Sequence, residues 1–354
     1  MGTVIGLDIG TTGVRAVETA SPGRSLIVKH AAALPLPAGV IDDGQIKDPA
    51  LLTTALRALW RRGRFSHKRV RLTVGWHPQV LVRPVDMPWM ASRADMAGLV
   101  ADKAAKDMPI DPSTLYLDHH VTAVYDRLSE DGAKTAWADV AVVGVSKDLV
   151  DNVLEAVGDA GLDPDSVDIT TFALARLVAL ASSGPGRVDL LVHLGASTGT
   201  IVGVVDGQPV FTQPLNEFAG QALTSRMCST LGVTPEHAED LKAGEAPSGL
   251  FGARRTDPTA ILAAWTTALA AAVCETISYV TVQLSKPVGR VWLAGGGSHL
   301  ATLAPRIGAE IGQGTQVIVL DPGTWVHHPE LLSAAANAGT GPSQDMTVAL
   351  AATM

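Results

Sequence analysis

The chain has 354 residues, 47% of them hydrophobic, and a net charge of -8 from 27 Lys and Arg against 35 Asp and Glu. That length buries a sizeable core and predicts two domains of ordinary size, while the acidic balance argues against a nucleic-acid partner. Two cysteines, Cys228 and Cys274, make neither a disulfide framework nor a metal cluster, so they read as small core residues in a reducing cytoplasm.

The chain opens straight into strand-like sequence without a basic, apolar leader, so no export signal is expected. Residues 4–9, 14–18 and 26–33 read as three successive strands, followed by a Pro/Gly-rich loop over 35–48. Residues 51–60 have helical apolar spacing, and 70–74 return to a strand. The texture then changes. A short strand ends at Met87-Pro88, a helix over 93–106 follows its cap Ser92, and Met108-Pro-Ile-Asp-Pro112 breaks it. Extended runs over 115–126 and 135–145 flank a polar turn at 129–134, and a helix over 147–160 closes at Gly161. Residues 77–163 are therefore expected to form an inserted α/β module, leaving 1–76 and 164–184 as the first domain.

A strand at 167–169 and an apolar helix over 171–181 lead to Ser182-Ser-Gly-Pro-Gly186, the domain boundary. The second domain is expected over 187–354. It begins with a hairpin and a third strand at 208–212. Helices at 219–231 and 235–242 and a polar loop to 257 make up its small subdomain, 219–257. A long helix over 258–284, a helical stretch over 300–311 and a strand at 316–320 follow. The apolar run 260–274 is too short to span a bilayer, carries Thr266 and Thr267, and precedes Glu275, so it reads as a buried core helix. Residues 343–354 lack a basic amphipathic pattern, and direct membrane insertion is not expected.

Two glycine turns carry the chemistry. Ile5-Gly-Leu-Asp-Ile-Gly-Thr-Thr-Gly-Val-Arg15 and Leu191-Val-His-Leu-Gly-Ala-Ser-Thr-Gly-Thr200 are each strand, small-residue turn and strand. Aligning Asp8 with His193 also aligns Gly10 with Gly195, Thr11 with Ala196 and Thr12 with Ser197, which points to an internal duplication. A polyphosphate can approach backbone only where side chains are short, as at Gly10, Gly13, Gly195 and Gly199, with hydroxyls as added donors. Asp8 would hold water on a divalent cation, and Arg15 would return along the second strand to phosphate oxygens. For either segment alone, an ordinary β-hairpin with a glycine turn explains the residues as well. A third turn, Val291-Trp-Leu-Ala-Gly-Gly-Gly-Ser298, runs from strand to helix, a geometry suited to nucleotides. It does not complete a dinucleotide fingerprint, because Leu300 stands where the last glycine should be.

This order of parts resembles the actin-like ATPase superfamily and, within it, the PilM family of type IV pilus assembly. The resemblance is carried by Gly6-Leu-Asp-Ile-Gly10 with Val14-Arg-Ala-Val-Glu18, Leu34-Pro-Leu-Pro37, Met87-Pro-Trp-Met90, Met108-Pro-Ile-Asp111, Val167-Asp-Ile-Thr-Thr-Phe-Ala-Leu-Ala-Arg176, Ala238-Glu-Asp-Leu-Lys242 and Leu293-Ala-Gly-Gly-Gly-Ser298, in order along nearly the full length. It implies an α/β, actin-like (ribonuclease H-like) duplicated two-domain ATPase fold with an FtsA-type inserted subdomain. It also implies ATP and Mg2+ as cofactors. Asp8, Gly10, Thr11, Thr12 and Arg15 would form the first phosphate loop, with Asp8 reaching Mg2+ through water. Gly195, Ser197 and Thr198 would form the second loop, and Gly295, Gly296 and Gly297 would line the adenosine. Glu239 and Lys242 would face the ribose and base, although a solvated i,i+3 salt bridge explains that pair equally well.

Two departures stand out. His193 replaces the Asp that the family's second loop usually carries, so Asp8 and His193 are the candidate catalytic residues and ATP turnover is expected to be slow at most. Of the family's adjacent glycines after Asn216, Gly220 alone remains. The resemblance further implies a cytoplasmic scaffold, peripheral to the inner membrane. It would bind the cytoplasmic N-terminal peptide of a PilN-like membrane protein between module and first domain, and other pilus components besides. The alternatives are a small-molecule kinase, with Asp168 as the candidate base, and an FtsA-like division protein. His119-His120 and His327-His328 are adjacent pairs whose members point to opposite faces of a strand, so neither pair alone makes a metal site. Trp76, Trp89 and Met90 read as core, with an exposed subset available to a peptide groove.

Overall fold

A computed structural model describes residues 2–21, 26–42, 44–75, 80–107, 111–128, 132–181, 184, 186–244, 257–312, 314–337 and 345–354. Trp76, the 108–110 part of the helix break, the 129–131 half of the 129–134 turn, most of the 182–186 boundary and the 245–256 part of the polar loop lie outside the described residues.

Strands β1 (Thr3–Gly10), β2 (Gly13–Ala20) and β3 (Leu26–Pro35) form an antiparallel meander. A two-rung ladder of β4 (Ile41–Asp42) and β5 (Gln45–Ile46) leads to α1 (Pro49–Gly63). This helix starts where Asp48 accepts the Leu51 N–H at 2.9 Å with Pro49 in the first turn, and it stops at Arg64 in a left-handed conformation. β6 (Arg69–Val74) then returns parallel to β1.

A separate layer follows. β7 (Val80–Pro88), α2 (Arg93–Asp107), β8 (Leu115–Leu128) and β9 (Lys134–Ser146) make a three-stranded antiparallel sheet in the order β7-β9-β8, with α2 between the first two strands in sequence. Its own core gathers Met87, Met96, Val100, Ala138, Val140 and Val142. Further along β9, Val143 and Val145 join the main core of the first half, with Val80 and Val82 packed against it. α3 (Lys147–Asp159), capped by Ser146, was expected inside the module, yet its Leu149, Val150, Val153, Ala156 and Val157 pack into that main core. β10 (Asp163–Ile169) and α4 (Thr170–Ala179) complete the first half.

The second half repeats the plan. β11 (Val188–Leu194), β12 (Gly199–Val205) and β13 (Gln208–Pro214) form another meander, followed by α5 (Gly220–Leu231), α6 (Pro235–Lys242) and α7 (Pro258–Leu284). β14 (Val288–Ala294), α8 (Leu303–Ile311) and β15 (Gln316–Val319) come next. β16 (Val326–His327), α9 (Pro329–Ala336) and α10 (Thr347–Ala351) close the chain. The two large sheets run β10-β6-β1-β2-β3-β16 and β13-β12-β11-β14-β15. Without β16 their orders and strand directions match, each an antiparallel meander extended by two parallel strands.

The C-terminal segment, expected with the second half, returns to the first sheet. β16 pairs parallel with β3, α9 lies along β3, and α10 lies on β1, β2 and α4. Close approach explains the small residues there, since a Cβ on Gly6 would stand 2.2 Å from the Ala349 carbonyl oxygen. α4, α9 and α10 share a core with inward-facing residues of both sheets, among them Val17, Leu191, Val202 and Trp292. α7 is long and apolar enough to cross a membrane by length and composition. One of its faces, with Ile261, Trp265, Leu269, Val273 and Val280, packs into the core of the second half.

Candidate functional site

Strand register carries the duplication down to single residues. Asp8 sits opposite Arg15 on β2 and beside Thr73 on β6. His193 occupies the same row of the second sheet, opposite Thr200 on β12 and beside Ala294 on β14. In the first hairpin the row is an ion pair, Arg15 Nη1 to Asp8 Oδ2 at 2.9 Å, and the same nitrogen donates to the Gly13 carbonyl at 3.2 Å. Burial pushes the Asp8 carboxyl above its ordinary range, the Arg15 charge and hydrogen bond oppose this, and the Asp345 charge adds to the rise. The second hairpin has lost both partners of the pair. Burial lowers His193 to about 4, with Asp345 pulling the other way and Arg15 reinforcing the fall, so the ring is neutral at neutral pH.

The two turns meet: Thr11 Oγ1 lies 2.7 Å from Ser197 Oγ. Gly195 N–H donates to the Thr198 carbonyl at 2.8 Å and closes the second turn. The first residues of α5 hold that turn from behind, with the Gly220 and Gln221 N–H groups donating to the Gly195 and Ala196 carbonyls at 2.9 and 2.8 Å. Gly10, Thr11, Gly195 and Ser197 are half-buried, Thr12 is exposed and Thr198 is buried. Lys242 and Glu239 stand at the same end of α5. Lys242 Nζ donates to Glu239 Oε2 at 2.8 Å, to Thr224 Oγ1 at 3.0 Å and to the Gly220 carbonyl at 3.2 Å.

The three glycines of the third turn are not equivalent. Gly295 has φ +85°, and a Cβ there would stand 2.5 Å from the Leu194 carbonyl oxygen; one on Gly297 would stand 2.8 Å from Leu194 Cβ. Both positions are forced by packing. A Cβ on Gly296 would meet nothing within 4 Å, so its backbone is open to a ligand. His193 links the second and third turns, since Cβ atoms on Gly195 and Gly295 would stand 3.5 and 3.1 Å from its ring.

Two side chains of this region were not expected. Among the described residues Thr73 Oγ1, in the Asp8 row, is buried without a hydrogen-bond partner, and so is Asp345 Oδ2 ahead of α10. A sequence signal for Asp345 exists: Asp345-Met-Thr347 repeats Asp168-Ile-Thr170 at the head of α4. Asp168 itself accepts the Ile169 N–H at 2.7 Å and is ion-paired with Arg176, so its carboxylate is already engaged.

The module presents a polar aromatic surface. Tyr125 OH donates to Asp86 Oδ1 at 2.6 Å, which with burial and neighbouring acids pushes the phenol up to about 12. Arg127 pairs with Asp86 and lies 3.9 Å over the Trp137 ring. Trp89 packs against the module core, whereas Met90 is exposed. His119 and His120 pair with Val142 and Ala141, so they point to opposite faces of the sheet. Among the described residues no three His, Cys, Asp or Glu side chains are grouped to hold a metal ion.

The family described as Type IV pilus assembly protein PilM matches residues 6–335. The solved PilM-PilN type IV pilus biogenesis complex contains a chain similar to this one, with a TM-score of 0.81 at 22% identity over 99% of this chain and 97% of that one. The ethanolamine utilization protein EutJ from Carboxydothermus hydrogenoformans is similar at a TM-score of 0.56 and 15% identity, over 100% of this chain and 89% of that one. The shared feature is the fold, an actin-like duplicated α/β architecture.

Proposed function

Because the chain belongs to the Type IV pilus assembly protein PilM family, we propose that it works as a cytoplasmic, nucleotide-bound adaptor of pilus assembly. ATP with Mg2+ would lie between the two hairpin turns and the third glycine turn. The meeting of Thr11 and Ser197 carries this reading, because two hydroxyl-bearing turns face each other where a phosphoryl group needs donors from both sides. The residues present fit the group. Asp8 would hold the cation through water, with Arg15 beside it; Gly195, Ser197 and Thr198 would offer donors; and the open backbone at Gly296 would take the adenosine side. Bound Mg2+ would screen the phosphate charge.

Turnover on this reading is slow. The chain offers no fixed negative charge at position 193 to orient an attacking water. Asp168, the candidate base of a kinase, is held by Arg176, which disfavours that alternative.

The division of labour we propose keeps the 1–76 and 164–184 body together with the returning C-terminal segment. The three-stranded layer is a docking module, and 219–257 is a small subdomain over the nucleotide. The N-terminal cytoplasmic peptide of a PilN-like inner-membrane protein would bind between module and body and hold the adaptor at the membrane. Similarity to a chain of the PilM-PilN complex supports this. Calorimetric titration of that peptide into the protein with MgATP tests it: saturable one-to-one binding is expected, and no heat at any ratio overturns it.

A further inference from the structure

The second hairpin has no carboxylate in the Asp8 row, but one stands close by on another element. Asp345 precedes α10 and accepts the Thr347 N–H through Oδ1 at 2.8 Å, while its Oδ2 is buried with no hydrogen-bond partner among the described residues. The side chain is 11% exposed, and His299 Nε2, just past the third glycine turn, is 3.9 Å from Oδ2. α10 lies over β1 and β2, the strands of the first hairpin. Asp345 also acts electrostatically on both Asp8 and His193. A buried carboxylate oxygen without a donor is costly to the free protein and calls for a ligand that satisfies it.

Positions 193 and 345 are complementary. An acid at 193 would sit in register with Thr200 and Ala294 instead of pairing across the hairpin as Asp8 does with Arg15, and both the Asp345 charge and the more distant Arg15 charge would act on it. Two such carboxylates resist joint ionisation. A neutral imidazole at 193 leaves Asp345 as the acid on that side. The matching acid at the head of α4, Asp168, is neutralised by Arg176.

Resting on the nucleotide reading above, we propose that Asp345 supplies from the head of the last helix the second carboxylate that its hairpin lacks. Asp8 and Asp345 together hold the hydrated divalent cation of a bound nucleoside triphosphate.

The test uses the full chain and measures ATP affinity in EDTA and in Mg2+, with Mn2+ resonance spectra of the same mixtures as a second readout. Wild type is expected to bind ATP at least about tenfold more tightly with Mg2+. Asp345→Asn loses most of that Mg2+-dependent gain and the immobilised Mn2+ signal. Asp345→Ser, which retains a helix-capping oxygen, behaves alike, so a folding defect in one variant leaves the other to decide. Combining His193→Asp with Asp345→Asn restores the gain. Full Mg2+ dependence in Asp345→Asn or Asp345→Ser overturns this proposal and leaves the nucleotide reading standing. No ATP binding by wild type in either condition overturns both.

Discussion

Thr11 Oγ1 and Ser197 Oγ, 186 residues apart in the chain, share a 2.7 Å hydrogen bond that joins the two halves of the molecule at their glycine turns. On the proposed nucleotide reading, a phosphoryl oxygen entering there would accept from both hydroxyls and replace the direct bond with a bridge. Removing either hydroxyl therefore weakens nucleotide binding more than it weakens the fold. Thr11→Ala and Ser197→Ala should each cost about 1 kcal/mol in urea denaturation and lower ATP affinity about tenfold by calorimetry. The double variant should lose less stability than the sum of the two, because one bond is removed twice.

His193 makes stability fall in acid. It titrates at about 4 in the folded protein against an ordinary 6.5, so between those values the unfolded chain binds a proton that the folded one refuses. Stability is full above the ordinary value, declines as pH drops through the window, and levels off below the folded value. Asp8, raised by burial, acts with the opposite sign at the acid end, so the comparison must be with a variant lacking the histidine alone. Between pH 7 and pH 5, wild type should lose about 2 kcal/mol more than His193→Gln in denaturant titrations.

The third turn separates packing from binding. Gly295→Ala forces a left-handed backbone and a 2.5 Å contact with Leu194, and should destabilise by about 2–4 kcal/mol. Gly296→Ala adds a methyl into open space and should leave stability within about 0.5 kcal/mol. It should nevertheless weaken ATP binding, and equal affinity for wild type and Gly296→Ala would remove this turn from the nucleotide site.

The Asp8–Arg15 pair is a liability when halved. Both side chains are about nine-tenths buried, at 12% and 11% exposed. Asp8→Ala leaves the Arg15 charge without that carboxylate and should cost about 3–5 kcal/mol. Adding Arg15→Met should recover part of the loss, which thermal or urea denaturation of the two variants will read directly.

Much of this was legible in local spacing. Asp8 and Arg15 are seven residues apart around a tight turn, and antiparallel register puts such residues side by side, so their pairing follows from the residues alone. The same arithmetic aligned Asp8 with His193 and exposed the duplication, which the two sheets repeat strand for strand. The glycine turns and the core role of α7 are likewise local signals of period, breaker and cap.

Other features depend on residues distant in sequence, and no spacing rule reaches them. α3 has an ordinary amphipathic pattern that suits either the module or the main core; contact with α1 assigned it to the core. The five residues of α10 carry no periodicity, and their place follows from how closely Ala349 can approach Gly6. His193 read in the sequence as a missing acid. The same alignment puts Thr200 where the first hairpin has Arg15, but that the Asp345 carboxylate from the far end of the chain acts on this region emerges only when helix packing brings α10 onto β1 and β2. Side-chain identity is a local property, whereas the partner that gives a buried charge its meaning is supplied by the folded chain.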